Sequence, residues 1–178
     1  MSIVTLPNLL SLSRIALIPV LAAAVINNLA MLSMGIFGLV VVSDVLDGIF
    51  ARRSNQASPT GALLDHASDA VFVITMTGLC AFLDLLPPLL PVVIAIAFIQ
   101  YSVDSKMLGK RGLRPSQIGR WNGIAYFVIT GLAIAVHLYV NDPIIHSTLR
   151  SLAWVLIAST GVSITERTVY FIRANRSP

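Results

Sequence analysis

Long apolar stretches alternate with short polar breaks along the whole chain. Each stretch is close to the roughly 20 residues that an α-helix needs to cross a bilayer. The breaks contain residues that commonly end helices, among them Asn27, Pro87 and Gly112. The predicted spans are 8–25, 31–52, 59–83, 88–106, 116–139 and 147–173. The pattern predicts an all-α fold, a single domain over residues 1–178 that forms an integral membrane bundle of six transmembrane helices.

Basic residues are concentrated at every second break. Arg52 and Arg53 follow the second span, five basic residues lie around the break after the fourth, and three lie near the C-terminus. The first and third breaks have none, and Arg150 lies near the fifth. Cytoplasmic loops of membrane proteins carry an excess of Lys and Arg. This distribution predicts that both termini are cytoplasmic and that the protein is a multi-pass component of the cell's inner (cytoplasmic) membrane.

The composition also favours a membrane location. Hydrophobic residues make up 56% of the 178 residues and charged residues 11%, whereas soluble domains contain about 25% charged residues. A net charge of +4 in a soluble protein would suggest nucleic acid as a partner. Here the basic residues lie between apolar stretches, so we expect membrane lipid as a partner and no nucleic acid.

Four of the eight acidic residues lie between positions 44 and 69, inside the second and third predicted spans, where an unpaired carboxylate is costly. Asp44 and Asp47 are three residues apart and Asp65 and Asp69 are four apart, so each pair shares a helix face. A short loop joins the second and third spans, so we expect both pairs to converge near the cytoplasmic end. Carboxylate oxygens suit Mg²⁺ or Mn²⁺, which also bind phosphate oxygens. The pattern predicts a site for Mg²⁺ or Mn²⁺ that holds a diphosphate substrate.

Small residues and an arginine accompany the aspartates. Gly48 and Gly61 allow a helix or a substrate to approach the backbone closely. The guanidinium of Arg52 can bind a phosphate through two parallel hydrogen bonds. A purely structural role in hydrogen bonds or ion pairs suits one intramembrane aspartate better than two pairs at helical spacing. A calcium-binding loop does not fit, because these aspartates lie within an apolar helix.

The aspartates and their neighbours form one string with defined spacing, Asp44-x2-Asp47-Gly48-x2-Ala51-Arg52-x8-Gly61-x3-Asp65-x3-Asp69. This string resembles the signature of the CDP-alcohol phosphatidyltransferase family, whose six-span architecture and chain length are also similar. The segment 6–14 resembles the N-terminal segment of the phosphatidylglycerophosphate synthase and cardiolipin synthase branches of that family.

The resemblance implies a reaction and residue roles. Family members transfer a phosphatidyl group from a CDP-linked lipid, CDP-diacylglycerol, to an alcohol acceptor and release CMP. The metal ligands implied by position are Asp44, Asp47, Asp65 and Asp69. Asp69 is also the candidate catalytic base. The implied donor-binding residues are Gly48, Ala51, Arg52 and Gly61. The active site is then expected to face the cytoplasm, and the resemblance also implies a homodimer.

The acceptor is less well defined. The N-terminal half is closest to the phosphatidylglycerophosphate synthase branch, so glycerol 3-phosphate is the first candidate, and inositol phosphate, phosphatidylglycerol or another polyol are alternatives. Three segments that would line the acceptor pocket depart from that branch. Residues 65–70 read Asp-His-Ala-Ser-Asp-Ala instead of Asp-Pro-x-x-Asp-Lys, and 119–123 read Gly-Arg-Trp-Asn-Gly instead of Gly-Lys-x-Lys-Thr. Residues 100–104, at the end of the fourth span, read Gln-Tyr-Ser-Val-Asp and lack the Arg-Glu pair of that branch. The candidate acceptor-binding residues are Arg120, Lys110, Arg111 and His66. Cytoplasmic topology would also account for the three basic residues, and packing for His66.

Two other classes of membrane protein also contain carboxylates within their membrane-spanning helices. A prenyl-transferring membrane enzyme also binds a diphosphate through Mg²⁺, but its two aspartate motifs usually lie far apart in the chain. A transporter that couples to cations or protons would contain internal repeats with broken helices, and this sequence shows no such repeat. The phosphatidyl transfer reaction is therefore the favoured prediction.

Overall fold

The computed structural model describes the backbone of residues 6–53, 59–107 and 117–176, and the side chains of 9, 11–46, 64–103 and 117–172. The described residues form six α-helices and no strand, which confirms the all-α prediction. The helices are α1 (Leu6–Ile26), α2 (Ala30–Arg53), α3 (Pro59–Phe82), α4 (Leu89–Met107), α5 (Gln117–Tyr139) and α6 (Pro143–Arg176).

Local sequence explains several helix ends. Asn28 follows α1 with φ at 55°, a left-handed conformation that asparagine tolerates, and Asp84 follows α3 with φ at 64°. The last helix begins at Pro143, so the predicted start at position 147 was four residues late. The Asp142 carboxylate accepts a hydrogen bond from the Ile144 backbone N–H at 2.8 Å. It thereby caps α6, and proline is well tolerated in a first helical turn.

The six helices form two halves. In the N-terminal half, α1 packs against both α2 and α3; in the C-terminal half, α6 packs against both α4 and α5. The halves meet where α3 contacts α4 and α5, and where α2 contacts α5. Because α1 packs against both aspartate-bearing helices, its side chains can reach the carboxylates of each.

Aromatic rings join the two halves in the core. Phe72 of α3 is fully buried. Its ring centroid lies 6.2 Å from that of Phe37 on α2 and 5.7 Å from that of Phe127 on α5, with which it is stacked. This contact between α2, α3 and α5 holds the halves together beside the predicted site.

The outer surface of the bundle carries many large apolar side chains, such as Ile99 and Val155. Two helical segments of the described chain, Gln117–Tyr139 and Pro143–Ile172, are long and apolar enough to cross a membrane. Shorter apolar helical stretches occupy Ser11–Ile26, Ala30–Leu46 and Leu89–Val103. Apolar surface of this extent is rare on soluble monomers and is consistent with contact to lipid.

Candidate metal and substrate site

Three of the four predicted metal ligands come together where α2 and α3 flank α1. Asp44 lies on α2, and Asp65 and Asp69 lie one turn apart on α3. Each offers an oxygen, and these three oxygens lie within 4.8 Å of one another. Their side chains are 36%, 40% and 24% exposed, in chain order, so the cluster is accessible to a ligand. The side chain of the fourth, Asp47, lies outside the described residues.

Arg14 of α1 lies in the middle of this carboxylate cluster. Its side chain is 0% exposed. One terminal nitrogen, Nη2, lies 3.1 Å from Asp44 Oδ1, and the other, Nη1, lies 3.5 Å from Asp65 Oδ1. Nη1 also donates a hydrogen bond to Asp69 Oδ1. A single guanidinium therefore contacts all three carboxylates. This role of Arg14 was not predicted from the sequence.

Two serines complete the polar surroundings of Asp65. The hydroxyl of Ser11, one turn before Arg14 on α1, donates to Asp65 Oδ1 at 3.1 Å. The hydroxyl of Ser68 donates to the Asp65 backbone carbonyl at 2.8 Å, and its oxygen lies 3.5 Å from Arg14 Nη1. The Ser11 hydroxyl on α1 thus helps to orient the Asp65 carboxylate, while Ser68 bonds the backbone of the same residue within α3.

The donor set fits a small, hard divalent cation. It consists of carboxylate oxygens, which Mg²⁺ and Mn²⁺ prefer over nitrogen or sulfur ligands. The three described carboxylates carry three negative charges and Arg14 carries one positive charge, which leaves two negative charges for a divalent ion to balance.

The predicted donor-binding residues occupy the neighbouring helix ends. Gly48, Ala51 and Arg52 belong to the last turns of α2, which ends at Arg53, and Gly61 belongs to the first turn of α3. The backbone thus brings them to the same end of the bundle as the aspartates. Their side-chain surroundings lie outside the described residues, and so do the predicted acceptor-binding residues Lys110 and Arg111.

A cavity of about 790 Å³ opens next to the carboxylates, between the two halves. Asp44 and Asp69 line it from the N-terminal half, and most of the remaining lining is apolar, with side chains such as Phe37, Ile94 and Phe127. Helices α2 to α6 all contribute to its wall. A cavity with carboxylates at one side and an apolar wall suits a lipid that carries a polar head group.

Basic and polar side chains line the cavity on the side of the C-terminal half. Arg120, in the first turn of α5, and Arg167, on α6, both face the cavity. The Arg167 guanidinium lies 4.8 Å from the ring centroid of Tyr101 on α4. The ring of His66 packs edge-on against that of Tyr101, with 4.5 Å between the two ring centroids. Two of the predicted acceptor residues, His66 and Arg120, therefore share the cavity with Asp44 and Asp69.

Gln100, in a segment expected to line the acceptor pocket, and Arg167, predicted only as one of the basic residues near the C-terminus, both line the cavity. The Gln100 amide nitrogen donates to the Ile164 carbonyl at 3.1 Å and to the Thr168 hydroxyl at 2.9 Å, which ties α4 to α6. The Gln100 side-chain oxygen and Arg167 Nη1 are buried and have no hydrogen-bond partner among the described residues. Sequence spacing alone does not show that Gln100 contacts Ile164 and Thr168, which lie 64 and 68 residues further along the chain.

Comparison with known proteins adds a family and several relatives. The family model described as CDP-alcohol phosphatidyltransferase matches residues 4–164. A human protein named cardiolipin synthase (CMP-forming) is 37% identical over 84 residues, which cover 47% of this chain and 28% of the relative. A Streptomyces coelicolor protein of the same name is 32% identical over 126 residues, covering 65% of this chain and 57% of the relative.

An Aquifex aeolicus protein named CDP-diacylglycerol–glycerol-3-phosphate 3-phosphatidyltransferase is also similar. It is 41% identical over 66 residues, which cover 37% of each chain. The aligned segments thus span between 28% and 57% of the lengths of these three relatives.

Proposed function

Because the chain belongs to the CDP-alcohol phosphatidyltransferase family, we propose that it transfers a phosphatidyl group from CDP-diacylglycerol to an alcohol and releases CMP. The observation that carries this proposal is the convergence of Asp44, Asp65 and Asp69 beside a cavity with a largely apolar wall. The carboxylates suit a metal-bound diphosphate, and the apolar wall suits the acyl chains of a lipid.

The proposed chemistry uses a divalent ion and a base. Mg²⁺ or Mn²⁺ bound to the carboxylates would offset the negative charge that develops on the diphosphate. Asp69 lines the cavity, and in the proposed step its carboxylate takes the proton of the acceptor hydroxyl. The acceptor oxygen forms a bond to the phosphatidyl phosphorus. The bond from that phosphorus to the bridging diphosphate oxygen breaks, and its electron pair leaves with CMP.

The donor nucleotide is assigned to the ends of α2 and α3. Gly48, Ala51, Arg52 and Gly61 are at the same end of the bundle as the aspartates. A diphosphate held between them and the carboxylates would place its reacting phosphorus near Asp69. Asp47 completes the proposed metal ligands on the same face of α2 as Asp44, because the two are three residues apart.

The acceptor is assigned to the opposite wall of the cavity, and we infer that it carries a phosphate. Arg120 and Arg167 both line this wall, and the buried Arg167 Nη1 has no hydrogen-bond partner among the described residues. Arginine binds phosphate oxygens through charge-assisted hydrogen bonds. Glycerol 3-phosphate is the first candidate. Phosphatidylglycerol is the second, because the apolar part of the cavity offers room for a lipid acceptor.

We further propose that all six helices span the inner membrane, with both termini and the carboxylate end in the cytoplasm, and that the enzyme is a homodimer. The exposed apolar surface supports the six spans. The distribution of Lys and Arg supports the orientation. A soluble acceptor and CMP would then enter and leave from the cytoplasm.

The test is CMP release by the purified protein in lipid nanodiscs. CDP-diacylglycerol and Mn²⁺ are supplied with glycerol 3-phosphate, phosphatidylglycerol, inositol phosphate or glycerol, and a prenyl diphosphate is supplied as an alternative donor. We expect CMP with a phosphate-bearing acceptor, little with glycerol, and none after chelation of the metal. Absence of CMP with every acceptor would contradict the proposal, and turnover of the prenyl donor would favour the alternative enzyme class.

A further inference from the structure

Arg14 is the most deeply buried charge among the described residues of this site. Its side chain is 0% exposed although it lies within the apolar helix α1. A charged side chain in such a place is costly unless opposite charges surround it. The three carboxylates supply that charge, and the guanidinium in turn offsets the repulsion between them.

The guanidinium contacts one oxygen of each carboxylate that would bind a metal ion, and so competes with the ion for these oxygens. Three carboxylate oxygens lie within 4.8 Å of one another, and the guanidinium contacts an oxygen of each. An ion that binds the same three Oδ1 atoms would have to enter the space that Arg14 Nη1 and Nη2 occupy. Two cations a few ångströms apart also repel each other strongly where water is scarce.

We propose that Arg14 is a resident cation of the metal site, one that holds the carboxylates together without metal and gives up at least one of them when a divalent ion binds. This inference rests on the metal site of the proposed function. Arg14 acts through the aspartates and is therefore a positioning residue. Its presence stabilises the metal-free protein and lowers the affinity for the ion.

Replacement of Arg14 separates this role from a purely structural one. Arg14→Gln removes the charge and keeps a side chain that can donate hydrogen bonds. We expect the variant to bind Mn²⁺ at least about tenfold more tightly than the wild type, because a competing cation is gone. We also expect it to unfold at a lower temperature in the presence of a chelator, because three carboxylates are left without their shared partner.

The chain offers a matched control in Arg150, whose Nη2 lies 3.2 Å from Asp84 Oδ1. Asp84 lies in the turn after α3, at the end of that helix remote from Asp65. Arg150→Gln therefore makes the same chemical change to another arginine–aspartate pair. We expect its Mn²⁺ affinity to equal that of the wild type.

The experiment is a Mn²⁺ titration of detergent-purified wild type, Arg14→Gln and Arg150→Gln, with free Mn²⁺ followed by electron paramagnetic resonance, and with thermal unfolding recorded with and without chelator. A wild type that binds no Mn²⁺ would overturn the proposed metal site, and this inference with it. A wild type that binds, together with an Arg14→Gln variant of equal or weaker affinity, would overturn the role of Arg14 alone.

A variant that folds only with Mn²⁺ would support the proposal, because its stability then depends on the ion. If Arg14→Gln folds neither with Mn²⁺ nor with chelator, the Arg14→Lys variant is used to test the proposal. Lysine keeps the positive charge but not the forked geometry of the guanidinium. If the charge of residue 14 is what competes with the metal, the Mn²⁺ affinity of Arg14→Lys should lie within about threefold of the wild-type affinity. An affinity loss of more than about tenfold would show that the fork is needed to orient the ligands, and would overturn the proposal.

Discussion

The two halves of the bundle differ in how many of their buried polar atoms have a hydrogen-bond partner. In the N-terminal half, Arg14 contacts Asp44, Asp65 and Asp69, and Ser11 bonds Asp65. Among the described residues, one buried side-chain atom of the N-terminal half, Arg14 Nε, has no hydrogen-bond partner, and four such atoms lie in the C-terminal half. They are Gln100 Oε1, Ser102 Oγ, Asn122 Nδ2 and Arg167 Nη1.

This difference has a functional meaning in the proposed reaction. Buried polar atoms without partners cost free energy, and proteins retain them mainly where a ligand or water completes the set. Among the described residues of the N-terminal half, the three carboxylates exceed the charge of Arg14 by two, which suits a metal ion. The C-terminal half offers hydrogen-bonding groups and arginines to a substrate. We therefore assign the donor and metal to the first half and the acceptor to the second.

The largest effect is expected from Asp69→Asn. The amide keeps the size of the side chain but cannot take a proton, so we expect kcat to fall by about 10²- to 10⁴-fold. Donor binding should be less affected, because Asp44 and Asp65 remain. Turnover measured as CMP release, with donor binding measured separately, checks this. A variant with wild-type turnover would remove Asp69 from the chemistry.

A smaller and more selective effect is expected from Arg167→Gln. Loss of one charge-assisted hydrogen bond to phosphate should raise KM for the acceptor by about 10- to 100-fold while kcat changes little. Arg150→Gln serves as the control, because Arg150 pairs with Asp84. Acceptor titrations at saturating CDP-diacylglycerol measure the change. An unchanged KM would show that the phosphate of the acceptor does not bind Arg167 on α6.

The contact between the halves can be tested through Gly131 on α5. A Cβ at this position would lie 2.6 Å from Phe37 Cε1 on α2, so Gly131→Ala forces the ring to move. We expect a loss of about 1–3 kcal/mol in unfolding free energy. Gly78→Ala is the control, since no atom lies within 4 Å of its added Cβ. Equal thermal stability of both variants in detergent would show that α2 and α5 adjust without cost.

The smallest effect is expected from His66→Phe. Phenylalanine can retain the ring contacts to Phe98 and Tyr101 but loses the ring nitrogens. If His66 donates one neutral hydrogen bond to the acceptor, KM for the acceptor should rise by about two- to tenfold. His137→Phe on α5 is the control, because His137 lies in the last turn of that helix and Arg120 in the first. Identical acceptor KM values would leave His66 with packing alone.

The two halves also differ in how far the sequence predicts them. Helix number and the pairing of Asp65 with Asp69 follow from local periodicity, because residues four apart share a helix face. The contacts of Arg14 were not predicted, because a charge inside an apolar span has no partner within its own helix. The carboxylates that it contacts lie 30 to 55 residues away. The hydrogen bond from Gln100 to Ile164, 64 residues away, was not predicted for the same reason. Packing between helices, rather than spacing within them, decides such contacts.

The central claim is that the N-terminal half binds the donor and the metal, and the C-terminal half binds the phosphate of the acceptor. The most direct measurement is Mn²⁺-dependent binding of CDP-diacylglycerol to nanodisc-embedded wild type, Asp44→Asn and Arg167→Gln, without acceptor. Asp44→Asn should weaken donor binding by at least about tenfold, and Arg167→Gln should leave it within about twofold of the wild type. Equal losses in both variants, or a loss in Arg167→Gln alone, would contradict the division of the site between the halves.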